Sequence, residues 1–98
     1  MYDVVLLKLS EAEIQTRLGT LPGWKVEQGK LFREFRFPDF KQAFAFMTRA
    51  AAVADQMDHH PEWSNVYSTV RVHLATHDAG GITDLDFKLG AAMNTAAG

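Results

Sequence analysis

Leu31-Phe32-Arg33-Glu34-Phe35-Arg36-Phe37 runs into Pro38-Asp39 and then Phe40 to Met57, FKQAFAFMTRAAAVADQM, and the change of period between the two segments decides the fold. In the first segment Leu31, Arg33, Phe35 and Phe37 fall on one side of an extended chain and Phe32, Glu34 and Arg36 on the other, the two-residue repeat of a strand. Asp39 is an N-cap residue type. Beyond it Phe40, Ala43, Phe44, Met47, Ala50, Ala51, Ala54 and Met57 recur at spacings of three and four, which predicts a long helix laid across a sheet. Phe46 and Val53, seven apart, fall off that stripe. They read either as extra core or as an oligomer contact, and the pattern alone leaves both open.

Working outward, Trp24-Lys25-Val26-Glu27 and the Gly-bearing turn Gln28-Gly29-Lys30 make Leu31 to Phe37 the second arm of a β-hairpin, with Trp24 and Val26 on the partner face. Ser10 and Glu13 form a capping-box pattern that opens a short leading helix with Ile14 and Leu18 as its apolar stripe. Gly19 and Pro22-Gly23 stop it. After the long helix come a short strand around Ser64 to Tyr67 and a longer one from Val70 to Thr76, where Val70, Val72 and Leu74 alternate with Arg71, His73 and Ala75. His77-Asp78-Ala79-Gly80-Gly81 reads as a loop. Thr83-Asp84-Leu85-Asp86 starts a last helix whose stripe is Leu85, Leu89, Ala92 and Met93. The order β-β-α-β-β-α with an extra N-terminal helix predicts an α+β two-layer sandwich: a four-stranded antiparallel sheet, helices on one face, the other face partly open.

A chain of 98 residues is read as one domain spanning 1–98. With 47% hydrophobic and 22% charged residues it has the composition of a globular protein, and a net charge of −2 gives no general attraction to nucleic acid or to an anionic membrane. There are no cysteines, which excludes disulfides, thiolate metal sites and a cysteine nucleophile. Val4-Val5-Leu6-Leu7 is interrupted by Lys8 and lacks the flanks of a signal peptide, and no run is long enough to span a bilayer. The expected location is cytoplasmic, with nuclear presence left open.

All four histidines lie in the second half of the chain, and three of them, His59, His60 and His77, group with Asp86 as candidates for chemistry. Imidazole titrates near neutrality, so such a group suggests proton transfer or metal ligation. Pro61 disfavours helical geometry at His60, so the long helix should end before the histidine pair. His77 follows a strand and Asp86 lies in the first turn of the last helix, so the two hairpin-and-helix units are expected to bring these element ends together over one rim of the sheet. Each residue also has a plainer reading. A single histidine can serve as a cation at a helix C-terminus. Asp86, three residues after Thr83, has the position of a capping-box carboxylate. His73, on the polar side of its strand, reads as solvated. Trp63 reads as packing or as a stacking wall for a flat heterocycle. A zinc or iron site lacks the usual ligand spacing, and a serine hydrolase lacks its nucleophile elbow. General acid–base catalysis on an uncharged or weakly charged heterocycle is the chemistry that best suits these residues.

Asp55-Gln56-Met57-Asp58-His59-His60-Pro61-Glu62-Trp63-Ser64-Asn65-Val66-Tyr67, followed by Thr76-His77 and Asp86, resembles the signature of the pterin-4a-carbinolamine dehydratase family, and the resemblance extends over nearly the whole chain. It implies a hydro-lyase that dehydrates 4a-hydroxytetrahydropterin to quinonoid dihydropterin and water, in functional coupling to an aromatic amino acid hydroxylase. It further implies a small-molecule pterin as partner and substrate, no cofactor, no metal and a homodimer or homotetramer. By position, His59 and His77 are implied as the acid–base groups flanking the 4a carbon, His60 as the residue nearest the ring, and Asp86 as the support of a histidine or of the site loop. Asp55, Asp58, Trp63 and Thr76 match substrate-binding positions. Ala79 and Leu85 depart from the animal pattern, which has cysteine and arginine there. Some animal members also act as dimerisation cofactors of a homeodomain transcription factor, so a non-enzymatic protein-interaction module is the alternative.

Overall fold

A computed structural model describes residues 7–98, so most of the apolar run Val4-Val5-Leu6-Leu7 lies outside the described residues. Helix α1, Glu11–Leu18, opens with the expected capping box: Ser10 Oγ accepts from the Glu13 amide and Glu13 Oε1 accepts from the Ser10 amide. Strands β1, Lys25–Glu27, and β2, Lys30–Arg36, form the first hairpin. Its turn places both Gln28 (φ 53°) and Gly29 (φ 75°) in the left-handed region, the geometry that matches the natural twist of two strands. Helix α2, Phe40–Met57, starts at Asp39, whose carboxylate accepts from the Gln42 amide, and stops at Asp58, which adopts the left-handed conformation. Strands β3, Glu62–Val66, and β4, Thr69–Leu74, make the second hairpin, and helix α3, Asp84–Ala97, closes the chain.

The four strands lie in the order β1-β2-β4-β3, every pairing antiparallel. Leu31 pairs with Leu74 and Phe35 with Val70, so the period-two alternation gathers Leu31, Phe35, Val70, Val72 and Leu74 on the face that receives Phe46, Leu89 and Met93 from the helices. Phe32, Glu34, Arg71 and His73 alternate onto the opposite face. Phe32 is nevertheless buried there, because Lys25 and Arg71 lie over its ring at 5.7 and 4.9 Å and the His73 ring covers it at 4.7 Å. His73 also bonds Glu27 through Nε2 at 2.8 Å, so it is part of this cover rather than simply solvated.

Several sequence expectations are corrected. On α2 the buried residues are Ala43, Phe46, Ala50 and Ala54, while Phe40 and Phe44 are 48% and 52% exposed and Ala51 is exposed. Phe46 is core, its ring 4.6 Å from Phe35 and 5.1 Å from Phe37, and Val53 packs against the core. The apolar arc covers roughly half the helix circumference at about 100° per residue, and the sheet contact is centred nearer one end of it, where alanines allow close approach. On α3 the buried residues are Asp86, Phe87, Leu89, Gly90 and Met93, with Leu85 and Ala92 only half-buried. β3 begins two residues earlier than read and ends before Tyr67, which takes a left-handed turn conformation (φ 49°). β4 ends at Leu74, Thr76 forms an isolated bridge with Gly81, and His77–Ala79 is a 3-10 turn rather than an irregular loop.

Candidate active site

The C-terminus of α2 hands the chain to the histidine pair through a left-handed cap. The Asp58 amide donates to Ala54 and Asp55 carbonyls, and the His59 amide also donates to the Ala54 carbonyl, which turns the backbone sharply before Pro61. This turn aims His59 inward. Its Nε2 lies 2.6 Å from Asp86 Oδ1; the imidazole is 9% exposed and the carboxylate not at all.

Asp86 is held from two further directions. Its Oδ2 accepts from Thr76 Oγ1 at 2.9 Å and from the Thr83 amide at 2.9 Å. The hydroxyl directions follow. Thr76 spends its proton on the carboxylate, so Thr83 donates to Thr76 across 2.7 Å, and Thr83 Oγ1 accepts from the Leu85 amide. A carboxylate that already accepts from two donors takes the Nε2–H of a neutral His59, which leaves Nδ1 as the lone-pair nitrogen. Nδ1 has no hydrogen-bond partner among the described residues and opens to the cleft.

That cleft, about 260 Å³, is lined by Asp58, His59, His60, Thr76, His77 and Leu85, with Ala75 and Asp78 completing it. His77 reaches it from the 3-10 turn, which Thr76 pins by donating its amide to the Gly81 carbonyl at 2.8 Å. The convergence expected of His59, His60, His77, Asp58 and Thr76 is therefore present, with Asp86 buried beneath. Asp55 and Trp63 are placed elsewhere. They line a neighbouring groove of about 520 Å³ together with Thr48, Ala51, His60 and Pro61, and His60 is the residue common to both spaces. His60 Nε2 is 3.5 Å from Asp55 Oδ1, both side chains largely exposed, so this is a loose, solvated contact.

Thr83 is the supporting residue that the sequence reading treated only as a cap. It is fully buried and joins Asp86, Thr76 and the start of α3 in one network. Its sequence signal, a threonine three before an aspartate, is that of any capping box, so only the distances reveal the second use. Glu62 follows the motif histidines in sequence without lining the cleft: its carboxyl is held below the usual range by the hydrogen bond from Lys30, against some burial, with Lys30, His77 and His73 adding attraction. Among the described residues no three His, Cys, Asp or Glu side chains are grouped to hold a metal ion.

Residues 7–96 match the family model described as pterin 4 alpha carbinolamine dehydratase. The chain belongs to the pterin-4a-carbinolamine dehydratase family. A relative from Solibacter usitatus, named "Putative pterin-4-alpha-carbinolamine dehydratase", is 54% identical over 90 residues, covering 92% of this chain and 95% of its own. One of the same name from Synechococcus sp. is 51% identical, covering 88% and 92%. Among solved structures, a protein described as a transcriptional coactivator/pterin dehydratase from Brucella melitensis superposes with a TM-score of 0.90 at 46% identity, covering 93% of this chain and 99% of that one. A pterin dehydratase-like protein described as a RuBisCO assembly factor shares the fold at a TM-score of 0.63 and 22% identity, covering 76% and 87%. Dehydratase-family membership thus rests on sequence and on fold together.

Proposed function

We propose that this protein dehydrates 4a-hydroxytetrahydropterin by histidine acid–base catalysis, without a metal or other cofactor, and so returns spent pterin after aromatic amino acid hydroxylation. The observation that carries the reading is the buried His59–Asp86 pair opening, with His77, onto one cleft. In the elimination the bond from the 4a carbon to its hydroxyl breaks as an acid delivers a proton to the departing oxygen. A base takes the proton of the adjacent ring nitrogen, whose electron pair forms the new C=N bond, and the products are quinonoid dihydropterin and water. His59, fixed as the Nε2–H tautomer by Asp86, supplies a lone pair at Nδ1 without rotamer freedom, and His77 is the partner group across the cleft. His60, at the junction with the Trp63 groove, binds the ring and can relay its proton. Asp58 and Thr76 line the site, while Asp55 and Trp63 extend it along the groove.

The test is the rate at which purified protein removes the carbinolamine produced by a pterin-dependent hydroxylase, followed by its absorbance. Acceleration that survives chelator treatment is expected, and His59→Ala or His77→Ala should lower it by about 10²–10⁴-fold each. Activity lost to chelator and restored by zinc would refute the metal-free mechanism. A protein-interaction module is the second reading, favoured by the exposed Phe40–Phe44 pair and by the coactivator description of the Brucella relative. Pterin binding without turnover would support it over the enzyme.

A further inference from the structure

His59 and His77 reach one cleft from different elements, so their relative placement has to be fixed by contacts between those elements. His59 is placed by Asp86 Oδ1. His77 belongs to the turn 76–81, whose backbone hydrogen bonds close on one another: the Thr76 amide donates to the Gly81 carbonyl, and the Ala79, Gly80 and Gly81 amides donate to the Thr76 carbonyl. Among the described residues, the side-chain hydrogen bonds that join this turn to the start of α3 both run through the Thr76 hydroxyl, one to Asp86 and one to Thr83.

This tether runs in one direction. Thr83 Oγ1 donates across 2.7 Å to Thr76 Oγ1, which donates across 2.9 Å to Asp86 Oδ2, and all three side chains are buried. Thr76 spends its proton on the carboxylate, so its lone pairs call for a donor, and the Thr83 hydroxyl supplies one. Capping makes no use of that proton. The cap of α3 employs Thr83 Oγ1 as an acceptor, from the Leu85 amide at 3.3 Å. A hydroxyl held by one hydrogen bond can swing about it, whereas two bonds at the same oxygen fix its direction and, with it, the backbone that carries His77.

Resting on the dehydratase reading, we infer that Thr83 is a positioning residue for the reaction: through Thr76 its hydroxyl holds the His77 turn in place against Asp86 and His59, so that both imidazoles face one reacting carbon. Such placement matters to rate, because a shift of about 1 Å in a reacting group can cost about 10²-fold.

The experiment measures kcat and KM for carbinolamine dehydration, per mole of folded protein, in the natural protein and in Thr83→Val, Thr83→Ser, Thr76→Val, Ser10→Ala and the double variant Thr76→Val/Thr83→Val. Thr83→Val should lower kcat by about tenfold to a hundredfold with KM changed by less than about twofold. Thr83→Ser keeps the hydroxyl and should restore kcat. The double variant should be no slower than Thr76→Val alone, because Thr83 acts only through Thr76. Ser10→Ala removes the capping box of α1, whose residues do not line the cleft, and should leave kcat at the natural value. That control separates the loss of a cap from the loss of the tether. In nitrogen NMR spectra of Thr83→Val, His59 should remain the Nε2–H tautomer, since Asp86 Oδ1 still accepts from it. Should Thr83→Val not fold, Thr83→Cys takes its place: a thiol is a weak donor, so kcat should again fall. A natural kcat in the Val or Cys variant, no rescue by Ser, losses that multiply in the double variant, an equal fall in Ser10→Ala, or a changed His59 tautomer would each overturn the positioning role while dehydration by the natural protein stands. Absence of turnover in the natural protein would instead remove the dehydratase reading and this role with it.

Discussion

Asp86 serves two structures with two different oxygens. Oδ2 completes the capping box of α3 and holds Thr76, while Oδ1 fixes His59. In the sequence these were competing explanations of one residue; in the fold they are simultaneous. The geometry gives Asp86→Asn a distinct signature. The amide oxygen can replace Oδ2 for Thr76 and Thr83, which turns the amide NH2 toward His59 Nε2. His59 must then accept at Nε2 and carry its proton at Nδ1, the nitrogen that opens to the cleft, so the base is lost although the helix cap survives. A stability cost of about 1 kcal/mol, read by denaturant unfolding, should accompany a fall in turnover of about 10²-fold or more. Turnover equal to that of the natural protein would return Asp86 to the role of a helix cap. His73, bonded to Glu27 on the open face, stands outside the cleft, and His73→Ala should retain turnover.

At the scale of the element, the long helix shows what periodicity carries and what it does not. The spacing of apolar residues from Phe40 to Met57 is helical, and helix there is what forms. The buried face is another matter, since nearly half the circumference is apolar and alanine is compatible with either a packed or an open position. Phe46→Ala should cost about 3–5 kcal/mol by chemical denaturation, the loss of a fully buried ring, whereas Phe44→Ala should cost under about 1 kcal/mol. Comparable losses from the two would mean that the helix is rotated relative to this description. Helix α3 carries a pH-dependent fastening at its first turn. The hydrogen bond from the Arg17 guanidinium, opposed by some burial and aided by Lys88, holds the Asp84 carboxyl below the usual carboxylate range. A depressed folded value means that the stabilisation is complete above the unfolded value of about 3.9 and is lost as pH falls through the folded one. Asp84→Asn should therefore cost at most about 1 kcal/mol near neutrality, and the difference should shrink progressively in melts run at pH values falling below the unfolded value of about 3.9.

At the scale of the sheet, helices cover one face and, among the described residues, both edge strands β1 and β3 lack a further partner strand; β3 carries Val66, 74% exposed, with Tyr67, 66% exposed, in the turn after it. Together with the Phe40–Phe44 pair, rings 5.6 Å apart on the outside of α2, this supports the proposal of a homodimer or homotetramer. Light scattering at micromolar concentration should give at least a dimer mass, and Phe44→Glu should lower it if α2 contributes. A natural protein that scatters as a monomer would remove the proposal. No helix among the described residues is long and apolar enough to cross a membrane.

Local chemistry made much of this protein readable without coordinates. Capping boxes at Ser10 and Thr83, the cap at Asp39, the Gln28-Gly29 turn and the period-two alternation within β2 and within β4 are relations between near neighbours in the chain, so residue order alone determined them. The histidine cluster was legible for the same reason, being largely one short motif. What depended on distant residues was decided by packing. Phe46 rather than Phe44 faces the sheet, the Trp63 groove lies apart from the His59 cleft, and Asp86 reaches His59 across 27 positions of chain. Such choices turn on which of several compatible faces buries its atoms most closely against another element, and that competition takes place only in the folded molecule.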